Sequence, residues 1–288
     1  MTETSNETAP LIVGRRGHTL VLTINRPDAR NAIDLAVTEA LGDAMEAADA
    51  DPDVRVVVLT GSGEKSFCAG ADLKAIARGE NLVPTTGKRS RWGFAGYASH
   101  HISKPTIAAV NGVALGGGTE LVLASDLVVA AEHASFGLPE VKRGLIAGAG
   151  GVFRLPAQIP RRIAYELMFT GASISAQRAL ELGLVNKVVR AEQTLDHAIE
   201  FGLVNSVVPA DRVLACAFEL ADAIAENAPL AVQASKRVAQ QIVDGVNVTE
   251  TSLWDVSARE RALLRESEDS KEGPRAFAEK RKPVWRAC

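Results

Sequence analysis

KPTIAAVNGVALGGGTE, residues 104–120, runs from a proline through a short apolar stretch to three consecutive glycines and a glutamate. The residues after Pro105, Thr106–Val110, read as a strand. The glycines are bunched at 116, 117 and 118 rather than spaced as G-x-G-x-x-G, which excludes a dinucleotide-binding turn. Thr119-Glu120-Leu121 then opens a helix. Bare backbone amides at such a helix N-terminus favour negative charge, so an oxygen that becomes anionic during a reaction has a place to be held. The same glycines also suit tight helix–strand packing, and spacing alone leaves both readings open.

Outward from this stretch, strands alternate with alanine-rich helical segments, an α/β pattern. Residues 18–25 (HTLVLTIN) alternate and end at Arg26-Pro27, and 54–60 (VRVVVLT) is apolar on both faces, as a buried strand would be. Residues 127–131 supply a fourth strand. Asn31 is expected to cap a helix in which Ile33, Val37, Leu41 and Met45 recur every four residues. From about residue 211 the strands are expected to disappear. Segments 211–226, 229–244 and 249–266 have helical period, and Gly273-Pro274 is expected to open a last short helix. The division expected is a tail over 1–10, a core over 11–210 and a helical region over 211–288. Within the core, 179–189 (ALELGLVNKVV) and 198–208 (AIEFGLVNSVV) match at eight of eleven positions with a 19-residue offset. This marks a tandem duplication over 179–208, too short for a solenoid.

The bulk composition is that of an ordinary globular chain, 47% hydrophobic and 23% charged over 288 residues. A formal net charge of −3 gives no field to draw in nucleic acid or an anionic membrane. Cys68, Cys216 and Cys288 are scattered, without metal-ligand spacing, and read as reduced thiols. With no apolar leader and no long apolar run, the expectation is a cytoplasmic protein that contacts no membrane.

Other candidate chemistry is sparser. The loop 61–66 (GSGEKS) lacks the glycine that a phosphate-binding loop needs directly before its lysine. Gly70, in 66–72 (SFCAGAD), permits a bend that aims a further amide outward, or a plain turn. His100 and His101 are adjacent, point in different directions and have no further ligands at suitable spacing, so a structural or surface role is expected. Lys88-Arg89-Ser90-Arg91 reads as a solvated face, with contact to a phosphate or substrate as the sharper option. Two carboxylates are placed to matter. Glu120 sits in the first turn after the glycines, where the helix dipole should keep it ionised. Glu140 follows Pro139 between Leu138 and Val141, an apolar setting that would raise its pKa. Carboxyls with separated pKa values make an acid–base pair, although two surface glutamates would look the same.

On these residues the chain resembles the crotonase (enoyl-CoA hydratase–isomerase) superfamily. The resemblance lies in 66–74 (SFCAGADLK), 104–120, 134–151 (ASFGLPEVKRGLIAGAGG), Phe153-Arg154-Leu155-Pro156 and 272–280 (EGPRAFAEK), and runs from about residue 11 to the end. It implies an α/β spiral of ββα units with a C-terminal α-helical trimerisation region. It also implies a homotrimer or dimer of trimers acting on an acyl-CoA thioester, with coenzyme A part of the substrate and no separate cofactor or metal. Carried over residue by residue, Glu120 and Glu140 are the catalytic acid–base pair, and the amides of Ala71 and Gly117 form the oxyanion hole. Gly148 helps to hold water, and CoA lies along Ala69, Asp72 and Leu73 with Phe277 and Lys280 from the last helix.

Both glutamates present favours water addition or removal, with an enoyl-CoA hydratase as the main reading. The alternatives are a carnitinyl-CoA dehydratase, suggested by the C-terminal residues, an isomerase or thioesterase on the same scaffold, and a non-catalytic or RNA-binding relative. Two departures from the family pattern stand out. Ala147 replaces a common proline and is expected to loosen the turn at Gly148. The duplicated unit is expected to place one copy in the core and the other outside it.

Overall fold

The structure is a computed structural model, and it describes residues 9–189 and 212–288. β1 (Leu11–Arg16) and β2 (Thr19–Ile24) form a hairpin, followed by α1 (Leu35–Ala50), β3 (Val56–Gly61), β4 (Ser66–Cys68) and α2 (Leu73–Ala77). Next come β5 (Thr106–Val110), β6 (Val113–Leu115), α3 (Gly117–Ala124), β7 (Leu127–Ala131) and β8 (Ser135–Gly137). α4 (Gly151–Gln158), α5 (Arg161–Thr170), β9 (Ser173–Ser175), α6 (Ala176–Glu181) and β10 (Lys187–Val189) close the first part. The second part holds α7 (Val213–Ala225), α8 (Pro229–Ala239), the hairpin β11 (Ile242–Val243) and β12 (Val246–Asn247), α9 (Thr251–Glu266) and α10 (Glu268–Ala278).

Two sheets share the strands turn by turn. The larger has the order β1-β2-β3-β5-β7-β10, parallel from β2 onward, and the smaller is β4-β6-β8-β9. Each of β3–β4, β5–β6 and β7–β8 therefore sends one strand to each sheet before its helix, which is the ββα spiral. β3 is buried along its whole length, as its apolar run requires. α7 packs against β3, β5 and β7 through Val213, Cys216, Ala217 and Ala221, a helical spacing that places one face inward.

The four expected strands are present as β2, β3, β5 and β7. The smaller sheet was not foreseen because its strands are three residues each, too short to show a period. The helix cap also differs from expectation. Asp34, not Asn31, caps α1, its carboxylate accepting the Val37 N–H at 2.9 Å. Asn31 instead sits in the left-handed region with φ 55°. Its side chain accepts from the Arg26 N–H at 3.0 Å and donates to the carbonyls of Ser62 and Ser66 at 3.0 and 2.8 Å. That double role needs an amide, which both donates and accepts.

At the C-terminal end, strands persist as β11 and β12. The last helix starts at Glu268, capped by Ser267, and carries Gly273 and Pro274 in its interior. Gly273 is there because the helix lies on the turn 139–143: a Cβ would fall 1.9 Å from the Arg143 carbonyl oxygen. The first copy of the duplicated unit forms the end of α6 and β10, and β10 pairs in register with β7. The second copy lies outside the described residues. Cys68 and Cys216 are buried and Cys288 is exposed. Among the described residues no helix is long and apolar enough to cross a membrane.

Arg26 joins two helix caps, reaching Asp34 at 3.2 Å and Asp72, the cap of α2, at 2.9 Å. Asp34→Ala removes one cap and one arm of this bridge. We expect a loss of about 1 kcal/mol in stability, read as a lower midpoint in urea unfolding.

Candidate active site

A cavity of about 1180 Å³ opens where the N-terminus of α3, the turn 139–143, the start of α4 and one face of α9 meet. Glu120 enters it from the first turn of α3 and is 4% exposed. Its Oε1 accepts the N–H of Ala149 at 2.7 Å and of Gly151 at 2.9 Å. Glu140 enters from the short 3-10 turn Pro139–Arg143. Its Oε2 is buried without a hydrogen-bond partner, and its Oε1 lies 3.1 Å from the point where a Cβ on Gly116 would stand.

Burial raises the pKa of both carboxyls, but their surroundings differ. At Glu120 the two amides and then the charges of Arg154 and Arg261 work against burial. At Glu140 the negative charge of Glu120 adds to it. The shared proton of the pair therefore belongs on Glu140, and Glu120 is the carboxylate. The dipole of α3 was expected to keep Glu120 charged. The stabilising amides instead come from the start of α4, and burial raises rather than lowers its pKa.

Glycines let the backbone close in around these groups. Gly116 and Gly70 adopt φ of 56° and 88°. A Cβ on Gly70 would stand 3.0 Å from the Gly117 nitrogen, and one on Gly118 would stand 2.0 Å from the Cys68 carbonyl oxygen. The run thus serves packing and site geometry together. The bridge between Ile33 and Ala71 is made by the Ile33 N–H to the Gly70 oxygen and the Asp72 N–H to the Ile33 oxygen, both 2.8 Å. It does not use the amide of Ala71. Gly117 is the first residue of α3, with no helical turn before it to take its N–H. Ala71 and Gly117, from different ββα turns, both line the cavity that Glu120 and Glu140 line.

Of the other expected residues, Ala69, Leu73 and Phe277 line this cavity, Phe277 under the guanidinium of Arg143 at 4.3 Å. Asp72 and Lys280 do not. The Asp72 carboxylate is taken by the amides of Lys74 and Ala75 and by Arg26, and Lys280 is exposed beyond the end of α10. Gly148 lines the cavity, but its amide is committed to the Ile146 oxygen at 2.8 Å. The neighbouring amides of Ala149 and Gly151 point to Glu120 instead. Ala147 does not leave this turn loose: it is buried, and its carbonyl accepts the Val152 N–H at 3.2 Å.

Two residues, Arg154 and His101, were not foreseen. Arg154 is buried, donates to Glu250 at 2.8 and 2.6 Å and to the Ala98 oxygen at 2.7 Å, and so ties α4 to α9 and to the loop before β5. An arginine flanked by apolar residues needs such partners, and that was the available signal. His101 lines the cavity, whereas His100 stacks on Trp92 and bonds the Gly96 oxygen. In the basic run Arg89 pairs with Glu39 and Asp43 at the surface, while Arg91 lines the cavity.

The sequence model of the enoyl-CoA hydratase/isomerase family matches residues 15–201 and 195–287. A carnitinyl-CoA dehydratase of Salmonella arizonae is 42% identical over 274 residues, 94% of this chain and 96% of that protein. The crystal structure of a carnitinyl-CoA hydratase from Mycobacterium avium aligns with a TM-score of 0.87 at 56% identity, covering 97% of this chain and 99% of the other. An enoyl-CoA hydratase from Mycobacterium tuberculosis aligns at 0.69 with 43% identity, covering 97% and 100%. With this coverage, and with the two carboxyls and two amides brought to one cavity, the chain belongs to the enoyl-CoA hydratase/isomerase family.

Proposed function

We propose that this chain is a hydro-lyase that adds water across the Cα–Cβ bond of a 2-enoyl-CoA and removes it in reverse. The observation that carries the reading is the pairing of an amide-held carboxylate, Glu120, with a buried, unpartnered carboxylic acid, Glu140, beside the Ala71 and Gly117 amides. The two amides hold the thioester oxygen. Glu120 takes a proton from water as it attacks Cβ, electrons move onto the thioester oxygen, and Glu140 gives its proton to Cα as the carbonyl re-forms. Dehydration runs the same steps backward. The enolate charge rests on the amides in between, where a single such donor is worth about 10²–10³ in rate.

An isomerase needs one shuttling carboxylate, and the presence of two in opposite protonation states favours water chemistry. The names of the relatives share removal or addition of water and differ in the acyl group, so the reaction is the firmer inference. Coenzyme A belongs to the substrate, and no further cofactor enters the reaction. Its path is along Ala69 and Leu73 toward Phe277.

The C-terminal layer leaves Leu230 and Val238 of α8 and Val256 and Leu263 of α9 exposed, each by more than half of its surface. We assign these faces to contacts between copies in a trimer or dimer of trimers. Light scattering on the eluting protein is expected to give three or six times 30.4 kDa; a monomer would refute the assignment.

Glu120→Gln and Glu140→Gln are each expected to lower the hydration rate of crotonyl-CoA, or of a better enoyl-CoA, by about 10²–10⁴. Turnover within a few-fold of wild type in either variant would remove the acid–base assignment. The rate should also fall on both sides of an optimum. On the acid side Glu120 takes up a proton, above the ordinary carboxylate range because burial has raised it; on the alkaline side Glu140 loses one.

The same pair has a stability signature. Between the unfolded carboxyl value and the raised folded values, the folded chain holds more protons than the unfolded one. The pair's contribution is therefore complete below the unfolded value and declines as pH rises through the folded values. Glu140→Gln removes the group whose buried ionisation opposes folding, so its melting temperature relative to wild type should rise steadily from pH 5 to pH 9. A constant difference would count against the raised pKa.

A further inference from the structure

The active-site cavity has a second end. A smaller cavity of about 530 Å³ adjoins it, and Arg91, Ser99, His101, Asp244 and Gly245 border both. These residues come from the segment before β5 and from the turn between β11 and β12. Leu73, Glu140 and Phe277 border the larger cavity alone, so the shared residues form a separate part of its wall. Phe94 links that end to the thioester position, because a Cβ on Gly117 would lie 2.3 Å from its ring. An acyl chain that leaves the Gly117 amide past Phe94 shares this cavity with His101.

His101 is half-buried and makes no hydrogen bond to any described residue. The chain just before it is anchored. Arg154 holds the Ala98 oxygen at 2.7 Å, and His100 holds the Gly96 oxygen at 2.9 Å. Burial, and then the charge of Arg154, push the His101 imidazole down to about 4, so it is neutral near pH 7. Two ion pairs stand near it, Arg154–Glu250 at 2.6 Å and Lys236–Asp126 at 2.7 Å, and each cancels its own charge. The end of the cavity thus presents a held, uncharged ring with one N–H donor and one nitrogen acceptor, both without partners. A plain alkyl chain would cover these groups without bonding them, an unfavourable arrangement. The two closed pairs offer no net counter-charge, and the other charges that border this end, Arg91 and Asp244, are of opposite sign.

We infer that His101 is the hydrogen-bond partner of an uncharged polar group, such as a hydroxyl, carried on the acyl chain beyond Cβ. It thereby sets the acyl specificity of the site. The inference rests on the acyl-CoA reading above and names the substrate class within it.

The test is a ratio. Straight-chain 2-enoyl-CoA esters of five to eight carbons are compared with the same esters bearing a terminal hydroxyl, a terminal carboxylate or a terminal trimethylammonium group, by kcat/KM. Wild type is expected to favour the hydroxylated ester over the plain one by about tenfold or more at one chain length. His101→Leu should bring that ratio to about one, and His101→Gln, which keeps a donor and an acceptor, should retain part of it. Because each ratio is internal to one variant, a general loss of activity does not imitate the effect. A ratio unchanged in His101→Leu, or a wild-type preference for the plain or either charged ester, overturns the assignment. If wild type turns over no ester in the panel, the hydro-lyase reading itself fails.

Discussion

The carboxylate of Glu120, held by the amides of Ala149 and Gly151, is the contact on which the rest of the site depends. It spans two turns of the spiral, from the first turn of α3 to the start of α4. A charge buried this deeply is costly unless donors meet it, so the contact both fixes the position of α4 and fixes which member of the pair is ionised. Glu140 has no donor at its Oε2. Burial and then the charge of Glu120 raise its pKa and favour the proton on Glu140. Two identical side chains thus differ in their surroundings, because the amides of Ala149 and Gly151 meet only Glu120.

That asymmetry needs a firm floor under the Glu140 turn, and α10 supplies it. Gly273 brings the helix against the Arg143 carbonyl, and Gly144, at φ 65°, accepts the backbone of Asp269 so closely that a Cβ would meet its oxygen at 2.2 Å. Glu272, buried on the same helix, is held by Arg275 and Arg281 and by the Val284 amide at 2.9 Å. The C-terminal region thus supports the acid while Phe277 of the same helix borders the cavity. On the opposite side Arg154 bonds Glu250 and Ala98 at once and braces α9 and the loop before β5.

Much of this was legible in the sequence, for physical reasons that can be named. Long apolar strands such as β3 and β5 show themselves because they are buried on both faces. The glycines at 116–118 and the proline before Glu140 marked two backbone turns whose side chains matter. Other features were illegible because their cause is spatial. Asn31 and Asp34 both have the chemistry of a cap, and only the convergence of Arg26, Ser62 and Ser66 on the Asn31 amide decides between them. Gly273-Pro274 reads as a helix start, yet the close contact with Arg143 makes the glycine a packing residue inside α10. Asp72 sits in a CoA-contact motif by resemblance, while its carboxylate is spent on α2 and Arg26. His101 looked like one of a structural pair because adjacency says nothing about which ring meets a cavity.

The cost of the site also explains how its two ends differ. At the reacting end, two carboxyls are buried with donors for only one, and stability is lost as pH rises through their raised values. At the far end the charges are closed into pairs. Glu250 receives two bonds from Arg154 and one from Trp254, and Asp126 receives Lys236 and the amide of Thr106. Such saturated pairs hold shape without leaving a net charge. The frame at the far end is thus held by groups whose hydrogen bonds are already made. His101 stands between these two regimes. It is fixed like the frame but unpartnered like Glu140, and an unpartnered polar group on a fixed support is a place for a ligand to bind.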